Sequence, residues 1–402
     1  MHTIFPVDRF SALDTPFYYY DFDLLRATLA DLCDAMPADG NFRMHYAVKA
    51  NANPDVLRVM SAAGLGADCV SGAEIMRAAD CGFSPENIVF AGVGKTDREI
   101  NIGLDCGISC FNVESEPELE VISSLAASRG VKAGVALRVN PEVGAHTHAN
   151  ITTGMAENKF GIAMNNLDKV VDMALSLPAV ELKGLHFHIG SQILDMTDFQ
   201  ALCNRVNELQ ERLENRGLIL PHINVGGGLG IDYRNPDGNP IPDFKTYFDT
   251  YRHHLRLRPG QTLHFELGRA IVGQCGSLVS RVTYVKQGVR KQFVILDAGM
   301  TDLIRPALYQ AYHKIENISA ETARPTYPYD VVGPVCESSD VFGKAVDLPL
   351  TRRGDFIALR SAGAYGEIMA SGYNCRPLPE AITSDSLRRD DDLESMTECR
   401  SL

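Results

Sequence analysis

The sequence lacks an uninterrupted apolar run long enough to cross a membrane, and its first residues, MHTIFPVDRF, lack the apolar core of a signal peptide. Basic residues are also scarce, because 38 Lys and Arg stand against 51 Asp and Glu and leave a formal net charge of −13. Nucleic acid and anionic membranes bind clustered Lys and Arg, so we expect neither as a partner.

Paired cysteines are a further absence. The 10 cysteines are scattered and form no C-x-x-C pair, which favours buried thiols in a reduced, cytoplasmic setting over a disulfide framework. The sequence also has no internal repeat and no low-complexity linker. What it does have is length and apolar content. Its 402 residues, 45% of them hydrophobic, suffice for a large core and predict two domains.

Short apolar segments alternate with amphipathic ones through most of the chain. The predicted strands are 45–49, 67–71, 88–92, 110–114, 136–140, 185–190, 223–227 and 263–268, with helices such as 24–36, 54–63, 73–81, 117–128, 167–176 and 198–215 around them. About eight strand–helix repeats predict a (β/α)8 barrel of the TIM type. The alternative is an open doubly wound sheet, which would place G-x-G-x-x-G after its first strand. The glycine run at 226–230 comes late and does not fit that spacing.

The rhythm changes after about residue 272. Segments 278–286 and 292–297 alternate like paired strands, 331–336 and 356–360 are further predicted strands, and helical periodicity is sparse. We therefore predict a barrel over 24–272 and a mainly β domain made of 273–384 and of 1–23, whose strand 17–21 pairs into it. The charged, Ser-rich residues 385–402 are predicted to form a mobile tail.

Lys49 stands at the end of the first predicted barrel strand, within FRMHYAVKANAN. Lysine is rarely buried without a partner, and partial desolvation lowers the pKa of its side chain so that more of it is the free amine. A free amine that is held rigidly can form a Schiff base with a carbonyl compound. The alternative is an ordinary lysine whose ammonium group reaches water from the strand end.

Other polar residues and glycines mark the C-terminal ends of the predicted strands, where the active sites of such barrels lie. They are Asp68, Arg138, Asn140, His186, His188, Ser191, Gly226, Gly227, Gly228, Glu266, Gly268 and Arg269. Loops after the last two strands commonly hold a phosphate, and small residues there expose backbone N–H groups to an anion. Each feature also has an ordinary explanation, namely a tight glycine turn, a hydrogen-bonded core histidine, or pairing of Glu266 with Arg269.

A Schiff-base lysine, a phosphate cradle and a carboxylate together suit pyridoxal 5′-phosphate as cofactor. Lys49 would hold its aldehyde carbon, with Asp68 near enough to contact the lysine amine. The phosphate would be held by Gly226, Gly227, Gly228, Ser191 and Arg269. Glu266 would keep the ring nitrogen protonated, which makes the ring an electron sink, and the imidazole of His188 could stack on the ring face.

Four stretches resemble the fold-type III pyridoxal-phosphate decarboxylases, the group of alanine racemase and eukaryotic ornithine decarboxylase. They are YAVKAN at 46–51, HFHIGS at 186–191, GGG at 226–228 and ELGR at 266–269. Within that family the chain most resembles the diaminopimelate decarboxylases, through RPALY at 305–309, VGPVCES at 332–338 and GAYG at 363–366. The resemblance runs from about residue 15 to 380. It implies a barrel with a C-terminal mainly β domain, and conversion of meso-2,6-diaminopimelate to L-lysine and CO2, the last step of lysine biosynthesis.

The resemblance also implies roles for single residues. Lys49 carries the cofactor, Cys336 protonates the carbon that loses CO2, and His188 completes the catalytic set. Binding of the substrate is implied for Arg269, Arg305, Tyr309, Glu337 and Tyr365, of which Tyr365 also contacts the cofactor phosphate. The family places Cys336 and Glu337 in the neighbouring subunit's site, which implies a homodimer with shared active sites.

The substrate gives these residues a physical reason. meso-Diaminopimelate carries an amino acid group at both ends, so one end reacts and the other must be recognised. Arg305 offers a bidentate fork for the distal carboxylate, and Glu337 a charge partner for the distal ammonium. A shorter Asp after the cysteine, as in ornithine-type enzymes, would suit a simple diamine product. The alternative for Cys336 is a buried thiol, the common fate of cysteine.

Several alternatives stay open. The chain departs from the family pattern at Leu267, where Pro is common, at 146–150 and after 381, although none of these changes removes a proposed chemical group. A related decarboxylase could act on ornithine, lysine or carboxynorspermidine, while a racemase lacks a use for a distal-carboxylate site. A non-catalytic pyridoxal-phosphate protein is a further alternative. A metal-dependent barrel hydrolase would use histidines 146, 148, 186, 188 and 264, but it needs neither Lys49 nor Cys336, and we expect no metal.

Overall fold

The computed structural model describes residues 5–143, 159–320 and 325–389. His146 and His148, two of the candidate metal ligands, lie outside the described residues, as do residues 390–402 of the predicted tail. The chain divides into two compact units. The barrel unit consists of Leu29–Gly230 and Pro242–Ala270, and the β unit of Met1–Thr28, Ile231–Ile241 and Ile271–Leu402.

The elements are numbered in chain order. The helices are α1 Val7–Phe10, α2 Phe22–Ala35, α3 Pro54–Ala62, α4 Gly72–Asp80, α5 Asp97–Cys106, α6 Glu116–Ser128, α7 Leu167–Ser176, α8 Met196–Glu214, α9 Phe244–His254, α10 Arg269–Val272 and α11 Arg305–Tyr309. The strands are β1 Phe17–Tyr20, β2 Phe42–Ala47, β3 Gly66–Cys69, β4 Ile88–Phe90, β5 Cys110–Val113, β6 Ala133–Arg138, β7 Val180–His186, β8 His222–Asn224, β9 Thr262–Leu267, β10 Gly276–Gln287, β11 Gln292–Leu296, β12 Ile315–Asn317, β13 Thr326–Val332, β14 Val341–Pro349, β15 Phe356–Leu359 and β16 Glu380–Thr383.

Strands β2 to β9 close into a barrel in sequence order. Neighbouring strands are parallel, and β9 returns to β2 with Phe42 opposite Leu263 and His45 opposite Glu266. Every residue of β3, β5 and β6 is buried, which is typical of parallel strands covered on both faces. The closed barrel confirms the predicted (β/α)8 fold and excludes the open sheet.

Capping motifs fix the points at which strands give way to helices. Ser71 caps α4 by accepting the N–H of Glu74, and Ser115 caps α6 by accepting the N–H of Glu118. Each glutamate then reaches back to the strand end. Glu74 Oε2 accepts the N–H of Val70 at 2.7 Å. Glu118 Oε2 accepts the N–H of Glu114 at 2.8 Å. These S-x-x-E motifs hold the rim of the barrel in place beneath the polar residues that follow the strands.

The β unit is built around an eight-stranded sheet. Six of its strands follow the order β12-β15-β10-β11-β13-β14, and the other two, β1 and β16, pair with each other and join this path through β10. β1 pairs antiparallel with β10 and parallel with β16, so Phe17 lies opposite both Val279 and Glu380. Aromatic side chains fill one face of this sheet, with the Phe10 and Phe17 ring centroids 5.1 Å apart. The mainly β character of this unit confirms the predicted fold class.

Several strands are displaced from their predicted limits. β2 ends at Ala47, and a short 3-10 turn over Val48–Ala50 carries Lys49. β7 ends at His186, because its partner β8 stops at Asn224 and the chain then turns away at Gly226, with φ +69°. β13 ends at Val332, before a Gly-Pro pair that cannot continue the ladder. Lys49, His188 and Cys336 therefore all lie in the connections that follow strands.

Three strands of the β unit were not predicted. β12, β14 and β16 are short or irregular, and β14 includes shifts of register against β13. The start of the predicted tail is helical over 384–389. There Arg388 forms an ion pair with Asp23, and Asp385 with Arg26.

Candidate active site

Lys49 is held against a buried carboxylate at the C-terminal end of the barrel. Its Nζ donates a hydrogen bond to Asp68 Oδ2 at 2.6 Å, while 37% of the lysine side chain and none of the Asp68 side chain is exposed. Desolvation raises the pKa of Asp68 to about 6, and the charge of Glu266 adds to that rise while Lys49 opposes it. The hydrogen bond to Asp68 therefore fixes the position of the Lys49 amine, and the lysine side chain remains accessible to a ligand.

Glu266, near the end of β9, is the centre of a buried hydrogen-bond network. Its Oε2 accepts from His186 Nε2 at 2.9 Å, and its Oε1 accepts from Asn224 Nδ2 at 2.7 Å and Asn112 Nδ2 at 3.1 Å. Burial favours the protonated carboxyl, but the attraction of His186 and of Lys49 outweighs it and lowers the pKa of Glu266. Glu266 is thus a preorganised carboxylate, held by His186 and two asparagines rather than by Arg269.

Asn112 and Asn224 are functional candidates of the barrel unit that were not predicted from the sequence. Each is a polar residue within a short apolar strand, in CFNV and HIN, and both are buried. A buried side-chain amide needs hydrogen-bond partners. An asparagine near the end of a buried strand was therefore the signal in the sequence that could have identified both residues. Their partner Glu266 lies 154 residues beyond Asn112, which no local pattern indicates.

The glycine run after β8 follows a path that a side chain would block. Gly226 and Gly228 have φ values of +69° and +116°, which only glycine adopts at little cost. A Cβ on Gly227 would lie 2.0 Å from the carbonyl oxygen of Glu266, and one on Gly228 would lie 2.8 Å from that of Gly190. The glycines are therefore required for the close approach of this loop to its neighbours.

Two N–H groups of the glycine run donate hydrogen bonds to side chains of the barrel unit. Gly226 N–H donates to Asn224 Oδ1 at 2.9 Å, and Gly227 N–H donates to His188 Nδ1 at 3.3 Å. Because Nδ1 accepts, the proton of the neutral imidazole lies on Nε2. Burial, with the nearby charges of Arg138 and Lys49, lowers the pKa of His188 to about 3. His188 is accordingly neutral at physiological pH.

Arg269 and Ser191 meet as predicted for an anion site. Arg269 opens α10 and is buried, and its Nη2 donates to Ser191 Oγ at 3.0 Å. Gly268 lies against the turn that carries Lys49, since a Cβ there would be 2.7 Å from the Cβ of Ala50. The structure thus brings the glycine run, a guanidinium and a hydroxyl into the same loop cluster as the lysine.

Arg138, at the end of β6, is engaged within the protein. Its Nη1 donates to Glu114 Oε1 at 2.7 Å, and Glu114 Oε2 accepts the N–H of Gly161 at 2.8 Å. Its guanidinium also lies over the ring of Phe160, 4.7 Å from the centroid. Arg138 and Asn140 are both buried. We interpret Arg138 as a fixed positive charge beside His188.

The remaining site residues belong to the β unit. Arg305 and Tyr309 begin and end α11, and Arg305 is buried. Cys336 and Glu337 are exposed. Tyr365 has a positive φ of +57°, a conformation that non-glycine residues adopt at a cost and that is common at functional sites.

Two tyrosines of the β unit were missed from the sequence. Tyr373 Oη donates to Glu337 Oε1 at 2.8 Å, while Ser339 Oγ donates to Glu337 Oε2 at 3.1 Å. Tyr233 Oη accepts from Arg305 Nη1 at 2.8 Å. Both tyrosines therefore contact a residue to which the family resemblance assigns substrate binding.

Metal sites and membrane spans are both missing from residues 5–143, 159–320 and 325–389. In these ranges no group of three or more His, Cys, Asp or Glu side chains is arranged to hold a metal ion. No helix within them has both the length and the apolar character required of a membrane span.

Comparison with known proteins places this arrangement in one family. Residues 23–273 match the family model of the pyridoxal-dependent decarboxylases, pyridoxal-binding domain. A diaminopimelate decarboxylase of Bacteroides thetaiotaomicron is 66% identical over 96% of this chain and 100% of its own length. One of Pseudomonas aeruginosa is 44% identical over 90% of this chain and 86% of its own length.

A solved structure has the same fold over nearly all its length. The crystal structure of diaminopimelate decarboxylase from Helicobacter pylori, complexed with L-lysine, superposes with a TM-score of 0.88 at 38% sequence identity. The match covers 96% of this chain and 99% of that one. The likeness therefore extends through both units of the chain.

Proposed function

The chain belongs to the pyridoxal-dependent decarboxylases and, among them, to the diaminopimelate decarboxylases, from which we infer its reaction and propose the roles of its residues. Its reaction converts meso-2,6-diaminopimelate into L-lysine and CO2, the last step of lysine biosynthesis. The observation that carries the residue assignment is the Lys49 amine, 2.6 Å from the buried Asp68 carboxylate and still accessible.

The residues at the barrel rim fit pyridoxal 5′-phosphate. Asp68 Oδ1 and His186 Nδ1 are buried and have no hydrogen-bond partner among the described residues, so the site retains polar atoms that a ligand could satisfy. The glycine run packs so closely against the backbone of Glu266 and Gly190 that any side chain would collide, and a loop of such small residues can present backbone N–H groups to an anion. When bound, the cofactor supplies an electron sink for the charge left behind when CO2 departs. Lys49 would hold it covalently, with Asp68 fixing the lysine side chain.

Glu266 and His188 would set the electronic surroundings of the cofactor ring. Glu266 has a lowered pKa and stays ionised at neutral pH, so it can accept an N–H hydrogen bond from a protonated ring nitrogen. His188 is neutral and half-buried, which suits stacking on a ring face without adding charge. The phosphate would be held by Gly226, Gly227, Gly228, Ser191, Gly268, Arg269 and Tyr365.

The β unit would supply substrate recognition and a proton. Arg305, with Tyr309, Arg269 and Tyr365, would bind the substrate, and the guanidinium of Arg305 would take its distal carboxylate. Glu337 would take the distal ammonium, in the orientation that Tyr373 imposes on it. Cys336 would donate its Sγ proton to the substrate carbon from which CO2 has left.

We propose a homodimer in which Cys336 and Glu337 complete the partner's site. Both residues are exposed in the single chain. Four large apolar side chains of the same unit are exposed as well, namely Leu308, Ile368, Tyr373 and Leu378, at 42–62%. Contact with a partner over this unit would cover such side chains.

A reduced, cytoplasmic setting is supported by free thiols at every cysteine of the described residues.

A substrate panel tests the reaction and its alternatives. The purified protein, saturated with pyridoxal phosphate, is assayed for CO2 release from meso-diaminopimelate, ornithine, lysine and carboxynorspermidine. We expect meso-diaminopimelate to have the highest kcat/KM. Faster release from another compound would contradict the assignment, and bound cofactor with no turnover of any of them would indicate a non-catalytic binding protein.

A further inference from the structure

Arg305 is a buried cation with no carboxylate beside it in the described part of the chain. The residue is 6% exposed, and within residues 5–143, 159–320 and 325–389 its guanidinium forms no ion pair. The hydrogen bond that its side chain makes there runs from Nη1 to the hydroxyl of Tyr233, at 2.8 Å. A buried charge is costly unless a counter-charge or hydrogen bonds compensate it. Arg305 is therefore arranged to receive an anion from outside the chain.

Tyr233 contacts Arg305 through both its hydroxyl and its ring. The Arg305 guanidinium carbon lies 5.3 Å from the centre of the Tyr233 ring, within the range of a cation–π contact. His313 packs against the same ring in a T-shaped contact, with centroids 5.3 Å apart and planes at 84°. The ring therefore has a fixed orientation, and its hydroxyl sets the position of one guanidinium nitrogen.

The loop that carries Tyr233 is anchored within the β unit. Along the chain, Ile231–Ile241 connects β8 to α9, yet it belongs to the unit that contains Arg305. Asp237 in this loop forms ion pairs with Lys314 at 2.9 Å and with Arg360 at 2.8 Å. These ion pairs hold the loop in place within the β unit, and Tyr233 therefore keeps its position beside Arg305.

We propose that Tyr233 is a positioning residue for recognition of the distal carboxylate, an inference that rests on the proposed role of Arg305. Its hydroxyl occupies Nη1 and directs the other donors of the guanidinium fork toward the carboxylate. The planar fork binds a carboxylate well only in a narrow range of orientations. Loss of the hydroxyl should therefore weaken the binding of ligands that carry this carboxylate and leave the binding of ligands that lack it unchanged.

The test compares L-lysine with cadaverine, which differ only in the carboxylate. In Tyr233→Phe, which keeps the ring and its packing, we expect the KM for meso-diaminopimelate and the inhibition constant of L-lysine to rise about five- to tenfold, the usual net effect of one hydrogen bond. The value of kcat and the inhibition constant of cadaverine should change less than about twofold, as for a loss of binding shared by ground and transition states.

Tyr284→Phe is the matched control. Its ring also lies beside an arginine, with Arg353 4.9 Å from the centroid, but on the exposed end of β10. We expect wild-type constants for this variant. Unchanged L-lysine inhibition in Tyr233→Phe, equal weakening of L-lysine and cadaverine, or loss of the bound cofactor would each overturn the proposal. If wild-type protein neither decarboxylates meso-diaminopimelate nor binds L-lysine, the proposed function itself fails instead.

Discussion

The candidate site residues of the barrel unit differ from Cys336 and Glu337 of the β unit in how far they are buried and hydrogen-bonded within their own unit. In the barrel unit, Glu266 accepts three side-chain hydrogen bonds and Asp68 is fully buried beside Lys49. In the β unit, Cys336 and Glu337 are exposed, and Glu337 is oriented by two hydroxyl groups. The barrel group is thus preorganised by its own fold, whereas Cys336 and Glu337 are the residues that we propose complete a partner's site.

Replacement of Lys49 tests the barrel side of this comparison most severely. Lys49→Ala removes the amine that would hold the cofactor, and we expect kcat to fall by about three orders of magnitude or more. CO2 release and cofactor absorbance measure the effect. Lys169→Ala, at an exposed lysine paired with Glu116 at 2.6 Å, is the control and should behave as wild type. Substantial activity in Lys49→Ala would refute the assignment.

Replacement of Cys336 tests the β side. Cys336→Ala removes the proton donor and should lower kcat about a hundredfold or more, with the cofactor still bound. Mixing it with Lys49→Ala should restore about a quarter of wild-type activity, because random exchange makes half the dimers mixed and each mixed dimer has one intact site. Absence of recovery after verified subunit exchange would contradict shared sites.

Acid sensitivity distinguishes the barrel by a cluster of three neighbouring imidazoles, of which His45 is buried and the other two are half-buried. His45 Nε2 and His264 Nδ1 are 2.9 Å apart, and His222 stacks on His264 with centroids 4.7 Å apart. Burial lowers the pKa of all three; neighbouring imidazoles lower the pKa of His45 and His264 further, and the charge of Lys183 does the same for His222. Because the folded-state pKa lies below the ordinary value of about 6.5, their neutral forms stabilise the fold above that pH, and this contribution is lost as the pH falls below it.

The measurement is the free energy of unfolding in urea at several pH values below about 6.5. Each imidazole that is neutral in the fold and charged when unfolded adds up to about 1.4 kcal/mol per pH unit to the slope. His264→Gln should therefore have a shallower slope than wild type. His253→Gln, at an exposed residue of α9, should retain the wild-type slope. Equal slopes in all three proteins would contradict a neutral His264 in the folded barrel.

The smallest effect is expected at Tyr373, whose hydrogen bond to Glu337 is exposed. Tyr373→Phe removes the 2.8 Å contact to Glu337 Oε1 but leaves that of Ser339. Hydrogen bonds at exposed sites contribute little, so the KM for meso-diaminopimelate should rise about two- to threefold at nearly constant kcat. A larger effect than that of Tyr233→Phe would mean that the orientation of Glu337 matters more for substrate binding than that of Arg305, the opposite of the order expected.

Local patterns in the sequence account for the barrel and for its lysine. Barrel strands such as β4, with the sequence IVF, are short and apolar, and the S-x-x-E caps after β3 and β5 are contiguous in sequence, so periodicity and capping predict where strands end and helices begin. Lys49 was identifiable because a lysine directly follows an apolar strand. The exact strand ends differ because they depend on pairing between strands, as when β7 stops where β8 does.

Contacts between residues distant in sequence could not be predicted. Asn112 and Glu266 are 154 residues apart, and Tyr233 and Arg305 are 72 apart. A single Asn in a strand or Tyr in a loop has many possible environments, and only the closed barrel or the anchored loop determines which one occurs. The strands β12, β14 and β16 escaped prediction for a similar reason, because their pairing rather than their composition makes them strands.

Reduction with borohydride tests the central assignment most directly. The protein is saturated with pyridoxal phosphate, its absorption spectrum is recorded, and it is then reduced, digested and mapped by mass spectrometry. A visible absorbance that reduction abolishes, with one pyridoxyl label on the peptide that contains Lys49, is the result expected. A label on any other lysine, or a colourless protein that reduction leaves unlabelled, would contradict the role of Lys49 and the site built around it.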